Sequence, residues 1–217
     1  MTTRIDHIVV GAASLEDGVK YVQNELGVAI PKGGEHPSMA THNHLMQLGN
    51  DTFLEVIAIN PAGVAPQQPR WFGLDDPSIR ASVAEPRLLT WVANTTDLDA
   101  MQSRSPINLG VITPLSRGEL SWLFAVPDDG RLLASGLLPY VMQWKTDIHP
   151  SRNMADLQCR LKRIHVHHPY AAWYRSVMEH LDATELVEVH SLGKNDVPFL
   201  SAEIETPNGE VTLHGKL

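Results

Sequence analysis

Apolar residues gather into strand-like runs at three places in this chain, beginning at Arg4, Leu88 and Leu161, and a helical pattern follows each run within about five residues. In the first, RIDHIVVG predicts a strand. Ser14 then caps a helix with Asp17 three residues on, Leu15, Val19, Val22 and Leu26 fall on one helical face, and Gly27 closes it. Regular alternation in the strand puts Ile5, His7 and Val9 on one side and Asp6, Ile8 and Val10 on the other. After PKGGEHPSM, the runs HNHLMQLG and TFLEVIAI predict a hairpin across the turn signal Asn50-Asp51.

The second stretch repeats this order. LLTWVAN is followed by a short helix near TDLDAM and by the strands LGVITPL, ELSWLFAV and LLPYVMQW, separated by Pro, Gly and Asp clusters. In the third, RLKRIHVHH leads to a helix opened by Pro169, with Tyr170, Trp173, Val177 and Leu181 inward, and then to TELVEVHS, PFLSAEIET and EVTLHG. The fold expected is α+β, with repeated βαβββ units forming half-open barrel sheets and helices on the outer faces, two units facing each other around a cleft. The units span residues 1–60, 87–145 and 159–217, with an ordered loop at 61–86 around PRWFGLDDP, the whole treated as one domain over 1–217.

Charge and composition narrow the function. Seventeen basic residues against 25 acidic give −8, and no Lys/Arg stripe exists to follow a phosphate backbone, so nucleic acid is not an expected partner. The longest apolar stretch, around residues 132–142, is broken by Ser135, Gly136 and Pro139, so no membrane span is expected. The lone Cys159 has no partner for an internal disulfide and no flanking base, and MTTRIDHIVV runs straight into a strand, which predicts a cytoplasmic protein. No nucleotide-binding motif occurs, and no nucleotide cofactor is expected.

Histidines and one carboxylate carry the candidate chemistry. Phe53, Glu55, Ile57 and Ile59 share a strand face, and if that strand neighbours the first, His7 and Glu55 project onto one concave surface. Imidazole nitrogen plus carboxylate oxygen is half of a divalent metal site, the alternative being a satisfied core histidine and a glutamate at a strand end. His42 and His44 share a face of the strand entering the hairpin, and His44 is the candidate third ligand, the alternative being a place in a surface loop. His149, in the Pro-rich connector, is a further candidate. Trp71, Phe72 and Trp144 are candidates for the walls of an apolar pocket, and Arg70 for the fork that receives a substrate carboxylate.

Repeated βαβββ units with His in the first strand and Glu in the last resemble the vicinal oxygen chelate superfamily of glyoxalase I, extradiol dioxygenases, fosfomycin-resistance transferases and bleomycin-resistance proteins. The phrases DHIVVGAASLEDGVKYVQNELGV, THNHLMQLGNDTFLEVIAI, RWFGLDDP, and LLPYVMQW followed by His149-Pro150 resemble more narrowly the glyoxalase-like domain proteins of bacteria. The resemblance implies that His7 and Glu55 are the first module's metal pair and that a partner module completes the site. Thr90 and Tyr140 stand at the corresponding places of the second unit, His165 and His214 at those of the third, so only units one and three together would supply four ligands. The activity that the resemblance implies is that of an enzyme acting on a small organic substrate with vicinal oxygens through a divalent metal of unspecified identity, with Glu55 as base. The reaction is an isomerisation, a lyase step or a dioxygenation. The alternative is a metal-free binding protein that sequesters a small ligand among Trp71, Phe72, Tyr140 and Trp144, and either is compatible with a homodimer.

Overall fold

The computed structural model describes residues 2–49, 51–146 and 148–215. Strand β1 (Thr3–Gly11) leads into helix α1 (Leu15–Leu26), whose first turn is capped by Ser14 accepting a hydrogen bond from the Asp17 N–H at 3.1 Å. Gly27 ends the helix at φ +68°, a conformation open to glycine, and donates its N–H to Gln23. Strands β2 (Lys32–His36), β3 (Thr41–Gln47) and β4 (Phe53–Ile59) follow, β3 and β4 as the expected antiparallel pair. Of the turn signal between them, Asn50 lies outside the described residues, and Asp51 takes φ +56°. Because β4 returns beside β1 in parallel, His7 and Glu55 do come from neighbouring strands.

The stretch between β4 and the second unit contains more regular structure than its prolines suggest. A 3-10 turn spans Trp71–Gly73, and helix α2 (Pro77–Ser82) starts where Asp76 accepts from the Ser78 N–H and Pro77 takes the first helical turn. Then come β5 (Arg87–Thr95), α3 (Leu98–Arg104), β6 (Val111–Arg117), β7 (Leu120–Val126) and β8 (Tyr140–Trp144). The two units share one curled eight-stranded sheet of order β2-β3-β4-β1-β5-β8-β7-β6, joined by antiparallel pairing of β1 with β5. In both units the last strand lies parallel beside the first. The two outermost strands approach each other across the opening: a β-carbon at Gly34 of β2 would stand 3.0 Å from Nη1 of Arg117 of β6.

The third unit keeps the order of elements with β9 (Arg160–His168), α4 (Ala171–His180), β10 (Val187–Ser191), β11 (Phe199–Thr206) and β12 (Gly209–His214). Its strand order is different. β9 sits inside a separate sheet, β10-β9-β11-β12, rather than at the flank. The inward face of α4 is also rotated from the expected one: Ala171, Tyr174, Val177, Met178 and Leu181 are buried, while Tyr170 and Trp173 are exposed. Both exposed aromatics lie against the ring of His168, with centroids at 6.0 and 5.5 Å.

Two buried clusters divide the interior. One, on the convex side of the large sheet, joins Ile8, Val10, Leu54 and Val56 to Val22 and Leu26 of α1 and to Ile164, Tyr174 and Leu200 of the third unit. Close approach of α1 to the sheet depends on Gly18, where a β-carbon would come within 2.5 Å of Val56. The indole of Trp91 and the hydroxyl of Tyr174 both donate to the carbonyl of Leu137, tying the third unit to the second. The other cluster, on the concave side, holds Val9, Ile57, Trp71, Phe72, Phe124 and Tyr140 and forms the floor of the cleft. No described helix is long and apolar enough to cross a membrane.

Candidate functional site

A bulge in β1 builds the centre of the cleft. Pairing with β5 slips between Ile5 and His7, and the extra residue, Asp6, turns to the side of His7 instead of opposing it. Ile5, expected beside His7, packs instead against the convex cluster with Ile8 and Val10. Asp6 is fully buried. Its Oδ1 lies 2.7 Å from His7 Nδ1, and its Oδ2 accepts from the Trp144 indole at 2.6 Å and from His149 Nε2 at 3.1 Å. Burial alone would raise this carboxyl, but the hydrogen bonds from His149 and His7, with the charges of those rings, hold it down at about 2. A carboxylate only accepts, so the proton of His7 sits on Nδ1 and its Nε2 faces Glu55 Oε2 at 3.6 Å. The imidazole is further held by stacking on Phe53, centroids 4.4 Å apart.

Glu55 is 5% exposed, and among the described residues no Lys or Arg pairs with it. Its Oε1 accepts from Asn43 Nδ2 at 2.6 Å, and Asn43 in turn accepts from the Gly34 N–H at 2.7 Å. These groups border a cavity of about 60 Å³, which the second unit closes with Arg117, Trp122, Phe124 and Trp144. Two donors at this cavity, Nη1 of Arg117 and Nε1 of Trp71, are buried without a hydrogen-bond partner. His36 also borders it, its imidazole pushed down by burial with Glu55 pulling the other way.

The structure brings together His7, Glu55, Trp71, Phe72 and Trp144 around this cavity. His44 is not among them. It pairs across from Val56, on the face of β3 opposite Asn43 and Leu45, and its Nδ1 lies 2.8 Å from the Ile30 carbonyl. Arg70 is engaged elsewhere, donating to Asp75 and to the Met39 carbonyl. Tyr140 has no free hydroxyl: it accepts from the Phe72 N–H at 3.0 Å and donates toward the carbonyls of Gly130 and Arg131. That bond secures Phe72 at φ +59°, a costly conformation for a bulky residue. His149 supports Asp6 and caps the 3-10 turn at Pro150–Asn153. Sequence reasoning missed Asp6, Asn43 and Arg117. The only signal was adjacency for Asp6, which precedes His7 in a run otherwise apolar.

As a metal centre the cleft is incomplete. His7 and Glu55 offer two ligands, and His36, though it borders the same cavity, forms no group of three with them within ligating reach among the described residues, whereas a catalytic metal takes about three protein ligands. Thr90 and Tyr140 supply none from the second unit, and the one group of three ligand-type residues found among the described residues lies on the other sheet. The residues present do not fit a resident ion on their own.

Two βαβββ units sharing a curled sheet around a cleft define the vicinal oxygen chelate class. The chain belongs to the glyoxalase-like domain family, whose pattern matches residues 5–181. No curated protein matches it. Among solved structures, a hypothetical protein from Staphylococcus aureus is similar in fold over 100% of this chain and 88% of its own, at 14% identity and a TM-score of 0.56. Methylmalonyl-CoA epimerase from Mycobacterium tuberculosis matches 65% of this chain and 86% of its own, at 17% identity and a TM-score of 0.39. A hypothetical protein from Bacillus halodurans matches 68% of this chain and 97% of its own, at 12% identity and a TM-score of 0.44.

Proposed function

We propose that the cleft binds a small organic anion carrying oxygens on neighbouring carbons and moves a proton on it. The observation that supports this most is the meeting, at one cavity, of the His7 Nε2 and Glu55 Oε2 pair with two donors that lack partners, on Arg117 and Trp71. Unpaired buried donors are costly, and an oxyanion satisfies both. The guanidinium anchors the anion and, with the indole, faces the oxygen on which charge collects when a neighbouring C–H is deprotonated. His7 Nε2 and Glu55 Oε2 are the two atoms that take and return the proton, and the Asp6 carboxylate orients the imidazole and stabilises it when charged. Proton removal at one carbon and return at the same or the next makes this an isomerase-type reaction. A divalent metal at His7 and Glu55 would need its further ligands from substrate or water. The first two units form the working pair and the third braces them, so that residues 1–217 act as one domain.

Deuterium exchange decides the matter. Incubated in D2O with short α-keto and α-hydroxy carboxylates, the protein should exchange a C–H proton of at least one, and His7→Ala and Glu55→Gln should each lose about a hundred-fold or more in rate. Binding of such anions without exchange would favour the second reading, a sequestering protein, which the aromatic wall of Trp71, Trp122 and Trp144 and the absence of ligands from the second unit support. Neither binding nor exchange across the set would end the proposal.

A further inference from the structure

On the four-stranded sheet, the face turned away from the shared core carries a cluster that the cleft does not use. His165 on β9 stands directly across from Glu188 on β10, and His190 follows two residues along the same strand. His165 Nδ1 lies 2.9 Å from His190 Nε2 and 4.0 Å from Glu188 Oε2, and His190 Nε2 lies 3.8 Å from Glu188 Oε1. All three residues can place one ligand atom within 4.8 Å of the others.

We propose that this cluster is a divalent transition-metal site, bound through His165 Nδ1, His190 Nε2 and a Glu188 oxygen, with zinc as the ion its chemistry suits best. Two imidazoles and one carboxylate are a donor set that zinc takes, and tetrahedral ligands about 2.1 Å from a metal stand roughly 3.4 Å apart, within the 2.9–4.0 Å spread of separations seen. Two further features prepare the site. His165 has 14% of its side chain exposed, and its Nε2 lies 3.0 Å from Glu203 Oε1 on β11, an ion-pair contact that lacks hydrogen-bond alignment. A metal on Nδ1 makes Nε2 a proton donor and lets Glu203 act as the carboxylate that orients a ligating histidine. The His190 ring is already held flat by stacking on His167 at 4.6 Å, which stacks in turn on Phe199 at 4.1 Å. Because the ligands come from two strands and the orienting carboxylate from a third, a bound ion clamps β9 and β10 and braces β11.

The test uses untagged protein stripped with chelator, dialysed against zinc and analysed for metal, with cobalt absorption as a report on coordination. His190→Ala is the variant of choice, because 37% of that side chain is exposed and its loss spares the core. The wild type should retain about one equivalent and gain melting temperature with zinc. His190→Ala and Glu188→Gln should lose roughly ten-fold or more in affinity, and His7→Ala/Glu55→Gln should retain the ion. No retained metal in the wild type, equal retention in His190→Ala, or loss confined to the cleft double variant would each overturn the proposal, and the last would move the ion to the cleft.

Discussion

His7 donates from Nδ1 to the carboxylate of Asp6, its own neighbour in the chain, at 2.7 Å. Two adjacent residues of a regular strand point to opposite faces, so this bond exists only because β1 bulges between Ile5 and His7. The bulge lets β1 supply both the imidazole and the carboxylate that orients it, with Phe53 of β4 stacked on the ring.

Asp6 should make stability depend on acid. Its carboxyl sits at about 2 in the folded protein against 3.8 for an unburied group, so it contributes about 2 kcal/mol that is fully present above pH 4 and fades as pH falls toward 2. Asp6→Asn should therefore be less stable than wild type at pH 7 by about 2–4 kcal/mol, the deficit shrinking below pH 4. Urea unfolding at a series of pH values measures this, and a deficit that stays constant down to pH 3 would contradict it.

Glu55→Gln should separate chemistry from stability. Glu55 accepts from the neutral amide of Asn43, and no cation pairs with it among the described residues, so removing its charge relieves a buried anion. The melting temperature should hold or rise while proton exchange on substrate falls. A loss of about 3–5 kcal/mol would instead mark a broken structural pair.

Arg117→Gln should weaken binding of small carboxylates by about ten-fold or more, the worth of one charge-assisted hydrogen bond, with little change in melting temperature. Equal affinity in calorimetric titrations of the two proteins would remove Arg117 from the site.

Tyr140→Phe should cost stability and leave ligand affinity alone. The substitution strands the buried N–H of Phe72, a loss of about 1–3 kcal/mol by chemical denaturation. Unchanged stability together with lost binding would return Tyr140 to the substrate's side.

Much of the fold was legible in the residues. The strand–helix–strand order, the shared face of Phe53, Glu55 and Ile57, and the inward positions Val22 and Leu26 follow from periodicity, which burial enforces residue by residue. What alternation cannot report is a departure from itself, and the bulge that swings Asp6 beside His7 leaves no mark in composition. Arg117 was invisible for another reason: VITPLSR alternates weakly and carries a proline, and only the closing of the sheet brings its last residue over Gly34. His44 was drawn to the site by the face it shares with His42, whereas the face of β3 that meets Glu55 is the other one, carried by Asn43. The third unit repeats the order of elements, but that order does not specify which strands become neighbours, and β9 took the interior place.

The close approach of Arg117 to Gly34 makes a seam between the two edge strands of one sheet beside the cleft. No backbone ladder crosses it among the described residues. Arg117 borders the cavity from one margin of that seam and Asn43, bonded to the Gly34 N–H, from the other, so an anion held there bridges both. Once an anion lies beneath the guanidinium, the same side chain draws the two margins together, and the amides of β2 should then exchange with solvent more slowly than in the free protein.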